Sequence, residues 1–129
     1  MTFWQEHGIY DKVLSILQDA RENREEHHLG WSFLTAYQIA IEFAERHPDI
    51  IAKREWPIGG EGAGERNSWA QYLTRWLSEA VKNHPDGPLE GGFLSNLHLR
   101  DIDFVRGNEI IRSSLTGSGF GLSMFRFRE

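Results

Sequence analysis

Arg66, Asn67, Ser68, Gln71 and Arg75 crowd the start of one amphipathic segment, and Arg106 stands in a turn further along the chain. Guanidinium, amide and hydroxyl groups are the chemistry that reaches phosphates and base edges. Arg suits phosphate and guanine, and Asn or Gln suits adenine. When such groups lie at the N-terminal end of the second helix of a helix pair, that end can reach base edges in the major groove. These six residues form the candidate nucleic-acid-binding set. The plainer alternative is an ordinary polar helix surface whose other face is core.

Other chemistry is less well supplied. Gly59 to Gly64 precedes the same segment, and backbone amides at a helix start attract anions. A phosphate loop needs Lys followed by Ser or Thr after its last glycine, but Glu65-Arg66 stands there. The stretch reads better as a connector. Gly117-Ser118-Gly119-Phe120-Gly121 lacks dinucleotide-loop spacing and a following helix, so it reads as a turn. Ser95 lacks the glycines of a nucleophile elbow. The six histidines (7, 27, 28, 47, 84 and 98) form no metal-ligand spacing, and His47 and His84 fall at helix ends, where a partly charged ring suits the dipole. Asp101, Asp103 and Glu109 have no evident activating partner. No catalytic residue, cofactor or metal site is expected.

Three capping signals place the elements that would position these side chains. Thr2-Phe3-Trp4-Gln5, Thr35-Ala36-Tyr37-Gln38 and Ser68-Trp69-Ala70-Gln71 each set a hydroxyl three residues before a glutamine. The first helix is expected from about Tyr10 to Glu25, with a separate turn over residues 3–7 before Gly8. Trp31 to Leu34 reads as a short strand. The second helix is expected from Ala36 to His47 and stopped by Pro48, and residues 48–66 as a long irregular stretch. The third helix runs from Trp69 to Asn83, burying Trp69, Leu73, Trp76, Leu77 and Ala80. Ile102–Val105 and Glu109–Ser113 flank Arg106-Gly107-Asn108 as a hairpin. Thr116 to Gly119 makes another turn, Leu122 to Phe127 a final strand, and Phe93 to Leu99 a further one. The Trp residues are read as core, with Trp4 and Trp56 the two that could instead cover an interface.

The chain has 129 residues, enough for one domain (1–129) with its own core. Hydrophobic residues make up 40% and cysteine is absent, which removes disulfides, thiolate metal sites and thiol nucleophiles. No apolar run approaches a membrane span, and the N-terminus lacks signal-peptide character. A cytoplasmic protein without a membrane partner is expected. The net charge of −5 opposes non-specific nucleic-acid binding. The excess sits early: residues 1–30 carry six acids against three bases, whereas residues 98–129 carry five arginines against four acids.

Helix, short strand at Trp31–Leu34, capped helix, capped helix and hairpin around Gly107 is an order that resembles a winged helix-turn-helix domain. The resemblance is one of architecture and carries no specific family. It implies an α+β fold, three helices followed by a small antiparallel sheet or hairpin, with contact through the third helix and Arg106 as a wing residue. The connection between helices two and three is longer than the usual tight turn, and the strand-rich tail is longer than one wing needs. Another α+β topology therefore stays open. The expected function is a non-catalytic binding module, DNA-binding or regulatory. The alternatives are a protein-interaction or assembly protein, including a homodimer, and a small-ligand domain with its site under the 48–66 loop.

Overall fold

Helix starts follow the hydroxyl–glutamine signals. Thr2 Oγ1 accepts from the Gln5 amide at 3.2 Å, and Gln5 Oε1 accepts from the Thr2 amide at 3.2 Å. The helix that follows, α1 (Phe3–Glu6), is a single turn. Gly8, at φ +55°, takes the left-handed bend that separates it from α2 (Ile9–Asp19). The computed structural model describes residues 1–20, 28–59, 68–113 and 122–128. Helix α2 ends at Asp19, where Ala20 leaves helical geometry at ψ 53°; the remainder of the helix expected to Glu25 lies outside the described residues from position 21 on.

Thr35 and Gln38 form the second reciprocal cap, at 3.2 and 2.7 Å, and start α3 (Ala36–Arg46). Pro48 ends that helix and also opens another turn, α4 (Pro48–Ile51), inside the stretch expected to be irregular. Proline suits a first helical position because its missing amide has no helical partner there. Helix α5 (Trp69–Asn83) has the expected bounds, with the Ser68 hydroxyl accepting from the Gln71 amide at 3.1 Å.

Among the described residues five strands complete the α+β fold. They are β1 (Leu34–Thr35), β2 (Leu89–Leu94), β3 (Ile102–Arg106), β4 (Glu109–Ser113) and β5 (Leu122–Phe127). An antiparallel sheet runs in the order β1-β5-β2, and β3-β4 form a separate hairpin. The register sets Leu34 opposite Phe125 and Leu89 opposite Phe127. In the hairpin Arg106 faces Glu109 across the two-residue turn Gly107-Asn108. Gly107 has φ +59°, the sign a tight hairpin turn requires at its first central residue.

Strand β2 is displaced from the expected Phe93–Leu99. After Leu94 the chain turns, with the Leu99 amide donating to Asn96 O and His98 at φ 62°. Its start was obscured by Gly91-Gly92, a pair that usually weakens a strand. A side chain at Gly91 would meet the Phe125 ring at 3.3 Å and Val81 of α5 at 3.5 Å, so glycine permits close strand–helix packing. The turn expected at Thr116 to Gly119 lies outside the described residues.

The core lies between the helices and the inner sheet face. Ile9, Val13, Ile16 and Leu17 from α2 meet Ile39 and Phe43 from α3, Leu73 and Leu77 from α5, and Leu89 and Phe125 from the sheet. Each such burial stabilises by about 1.5–3 kcal/mol before ordering costs. Trp4 is buried, its ring stacked on Trp76 at 5.2 Å and 7°. The hairpin joins through Ile111 and through Phe104, whose ring stacks on Tyr37 of α3 at 5.0 Å and 4°.

Candidate functional site

The N-terminus of α5 is positioned by the chain that precedes it. The Trp69 amide donates to Pro57 O at 2.9 Å and the Ala70 amide to Ile58 O at 2.8 Å, while Gln71 uses the Ser68 hydroxyl. The first three amides are thus satisfied internally, which removes the donors an anion needs at a helix start. Ser68 is only 2% exposed, so its hydroxyl anchors the helix and does not face a ligand. Arg66, Asn67 and glycines 60, 62 and 64 lie outside the described residues.

Gln71 and Arg75 are exposed on α5. Ser78 and Lys82, also exposed, continue their line at helical spacing, with Glu79 beside them. Arg106 belongs elsewhere. It is half-buried, and its Nε lies 3.8 Å from Glu45 Oε1 on α3. The structure therefore brings Gln71 and Arg75 onto one surface and sets Arg106 against the second long helix.

Two other C-terminal arginines are paired too. Arg112 Nε donates to Asp103 at 2.8 Å, and Arg126 Nε donates to Glu90 at 2.8 Å. The bond from Arg112 holds the Asp103 carboxyl below its ordinary pKa, and the bond from Arg126 does the same for Glu90 against a smaller opposing effect of burial. Lowered carboxyl groups stay ionised and make poor general acids at neutral pH. His47 departs from the expectation of a partly charged helix-end ring. It packs on Phe43 at 4.9 Å, and burial first, then nearby Lys12, pushes its pKa down. Among the described residues no cluster of three His, Asp or Glu is placed to hold a metal ion.

Trp56 lies on Trp69 at 5.0 Å and on Tyr72 at 5.3 Å, so this part of the 48–66 loop rests on packed rings. Gly59 sits on Tyr37, where a Cβ would come within 2.5 Å of the ring. The expected small-ligand site has packed aromatic side chains under Trp56.

Exposed apolar side chains supply the surface feature that sequence reasoning missed. Phe93 (70% exposed), Leu97 (71%), Val105 (64%) and Ile110 (58%) stand out, and Leu94 and Leu99 are exposed as well. Val105 and Ile110 face each other across the hairpin, next to the Asp103–Arg112 pair. A signal was present: in Ile110-Ile111 two adjacent strand residues cannot both face the core, because successive side chains point to opposite faces. Ile111 is buried and Ile110 is not.

Among the described residues no helix is long and apolar enough to cross a membrane. No family model, curated protein or solved structure matches the chain.

Proposed function

We propose that this chain is a non-catalytic binding module of winged-helix type that docks a protein partner through its 93–113 arm. One observation carries the reading. Among the described residues, six of the eight exposed large hydrophobic side chains fall between Phe93 and Ile110, while Arg106 and Arg112 of the same arm are engaged by Glu45 and Asp103. Clustered apolar exposure favours a protein surface, whereas DNA affinity depends on cations free to neutralise phosphates. The winged-helix part is supported by the short strand β1, which follows α2, precedes α3 and closes the sheet against the last strand. In this reading the arm, which runs between the paired strands β2 and β5, serves as the wing.

A photo-crosslinking side chain placed at Val105 or Ile110 should capture a discrete protein in cells, and one placed at Ser78 should not. Absence of a discrete adduct at both arm positions refutes the reading. The exposed line of Gln71, Arg75, Ser78 and Lys82 favours a second reading, DNA contact through α5. That reading requires duplex binding at low salt that weakens as salt rises and falls again on Arg75→Ala. The protein-docking reading expects no duplex binding.

A further inference from the structure

Arg126 lies at the end of β5 opposite the arm, and Arg128 follows just beyond it. Arg126 donates through Nε to Glu90 at 2.8 Å and through Nη1 to Leu29 O at 2.6 Å, with a longer contact to Trp31 O at 3.4 Å. Arg128 donates through Nε to Gly87 O at 3.1 Å and through Nη2 to Pro85 O at 3.0 Å. Both side chains are therefore held by the fold. Among the described residues, Nη2 of Arg126 and Nη1 of Arg128 make no hydrogen bond.

Both arginines line a cavity of about 250 Å³, together with His28, Gly30, Trp31, Glu90 and Phe127. One side is apolar, with the Trp31 and Phe127 rings 5.0 Å apart. Charge selects the occupant. Among the described lining residues two guanidiniums meet one carboxylate, and that carboxylate is already engaged by Arg126. The carbonyls holding Arg128 are neutral, and Glu90, which also feels Arg128, is one carboxylate shared between the two arginines. A guanidinium with a spare N–H edge, fixed by its other bonds, is pre-organised for an oxyanion.

We propose that this cavity binds a small oxyanion-bearing molecule, a carboxylate or phosphate of compact size, with the anion between Arg126 and Arg128 and any apolar body against Trp31 and Phe127. Glu90 both orients Arg126 and opposes the anion's charge, so it tunes affinity downward. Such a ligand would bridge the 28–31 segment, β2 at Glu90 and the end of the chain at 126–128, three pieces far apart in sequence.

Amide NMR titration of the full chain tests this with inorganic phosphate and, separately, sodium benzoate. Saturable shifts at Gly30, Trp31 and residues 126–128 with either probe are expected, and which probe binds identifies the headgroup. Arg128→Gln should weaken binding about tenfold or more through the lost charged contact. Glu90→Gln should instead tighten it, an effect of opposite sign that general loosening of the fold does not produce. Arg128→Lys, which keeps the charge, should bind between wild type and Arg128→Gln. The proposal is overturned if neither probe gives saturable shifts at these residues up to about 50 mM, since oxyanions held by paired arginines bind more tightly than that. It is equally overturned if Arg128→Gln and Glu90→Gln both leave the affinity unchanged.

Discussion

Gly30→Ala examines how the segment between α2 and β1 is tied to the sheet. Gly30 has φ +87°, and a Cβ there would meet Arg126 Nη1 at 3.2 Å. Gly107 is an internal control, also left-handed at φ +59° but with nothing within 4 Å of its virtual Cβ. Left-handed backbone alone costs an L-residue about 1–2 kcal/mol, so Gly107→Ala should lose about that much. Gly30→Ala must also push back, by a few tenths of an ångström, the guanidinium that donates to Leu29 O and Trp31 O, which weakens those bonds. A charged hydrogen bond contributes about 1.5–3 kcal/mol when sheltered. The Arg126 side chain is 22% exposed, and solvent screening reduces that contribution to about 1 kcal/mol. Gly30→Ala should therefore cost about 2–3 kcal/mol in all. For a chain of this size the two variants should lower Tm by roughly 10 °C and 5 °C respectively. Urea unfolding followed by Trp fluorescence gives the free energies. In an Arg126→Met background the cost of Gly30→Ala should drop to that of Gly107→Ala, because the contact is already gone. Equal losses for the two alanine variants, or strict additivity with Arg126→Met, refute the reasoning.

Gly59→Ala should force the Tyr37 ring off its stack with Phe104, speeding hydrogen exchange in β3 and β4 while leaving α2 protected; unchanged exchange in the hairpin counts against that coupling. Ser68→Ala should destabilise by about 1 kcal/mol, as loss of a helix cap does, and Ser68→Thr should recover part of that in the same urea assay. Acid should weaken the fold in two steps. His47 has a lowered folded pKa, so the unfolded chain gains its proton first and stability is lost as pH falls below the ordinary imidazole value of 6.5. Glu90 also has a lowered folded pKa, so its contribution is present above the ordinary carboxyl value of 4.5 and disappears as pH falls through the folded value. Tm measured against pH should flatten in the upper window for His47→Gln and in the lower one for Glu90→Gln.

What was legible in the sequence follows the range of the forces involved. Helix α5 was bounded correctly because its cap and apolar stripe are local to residues 68–83. The hairpin was legible for the same reason, through Gly107 and the alternation on either side of it. Helix α4 was hidden because Pro48 reads as a stop as readily as a start. The start of β2 was hidden by glycines whose use is visible only against Phe125 and Val81. Of the candidate site, Gln71 and Arg75 were correctly read as outward, since helical phase alone decides that. Ser68 and Arg106 were placed by partners distant in sequence or by burial, and neither is local information.

Composition, capping chemistry and periodicity by themselves determined that this chain forms three capped helical segments followed by strands. They work within a few residues, where steric preference and backbone hydrogen bonding act. Only the tertiary structure decided which charges are spent. Glu45 meets Arg106, Asp103 meets Arg112, and Glu90 meets Arg126 across 36 residues. The same packing decided that Phe93, Leu97, Val105 and Ile110 remain outside while Ile111 goes in. Charge pairing and apolar exposure depend on which surfaces the fold brings together, and that is settled only when every segment is in place.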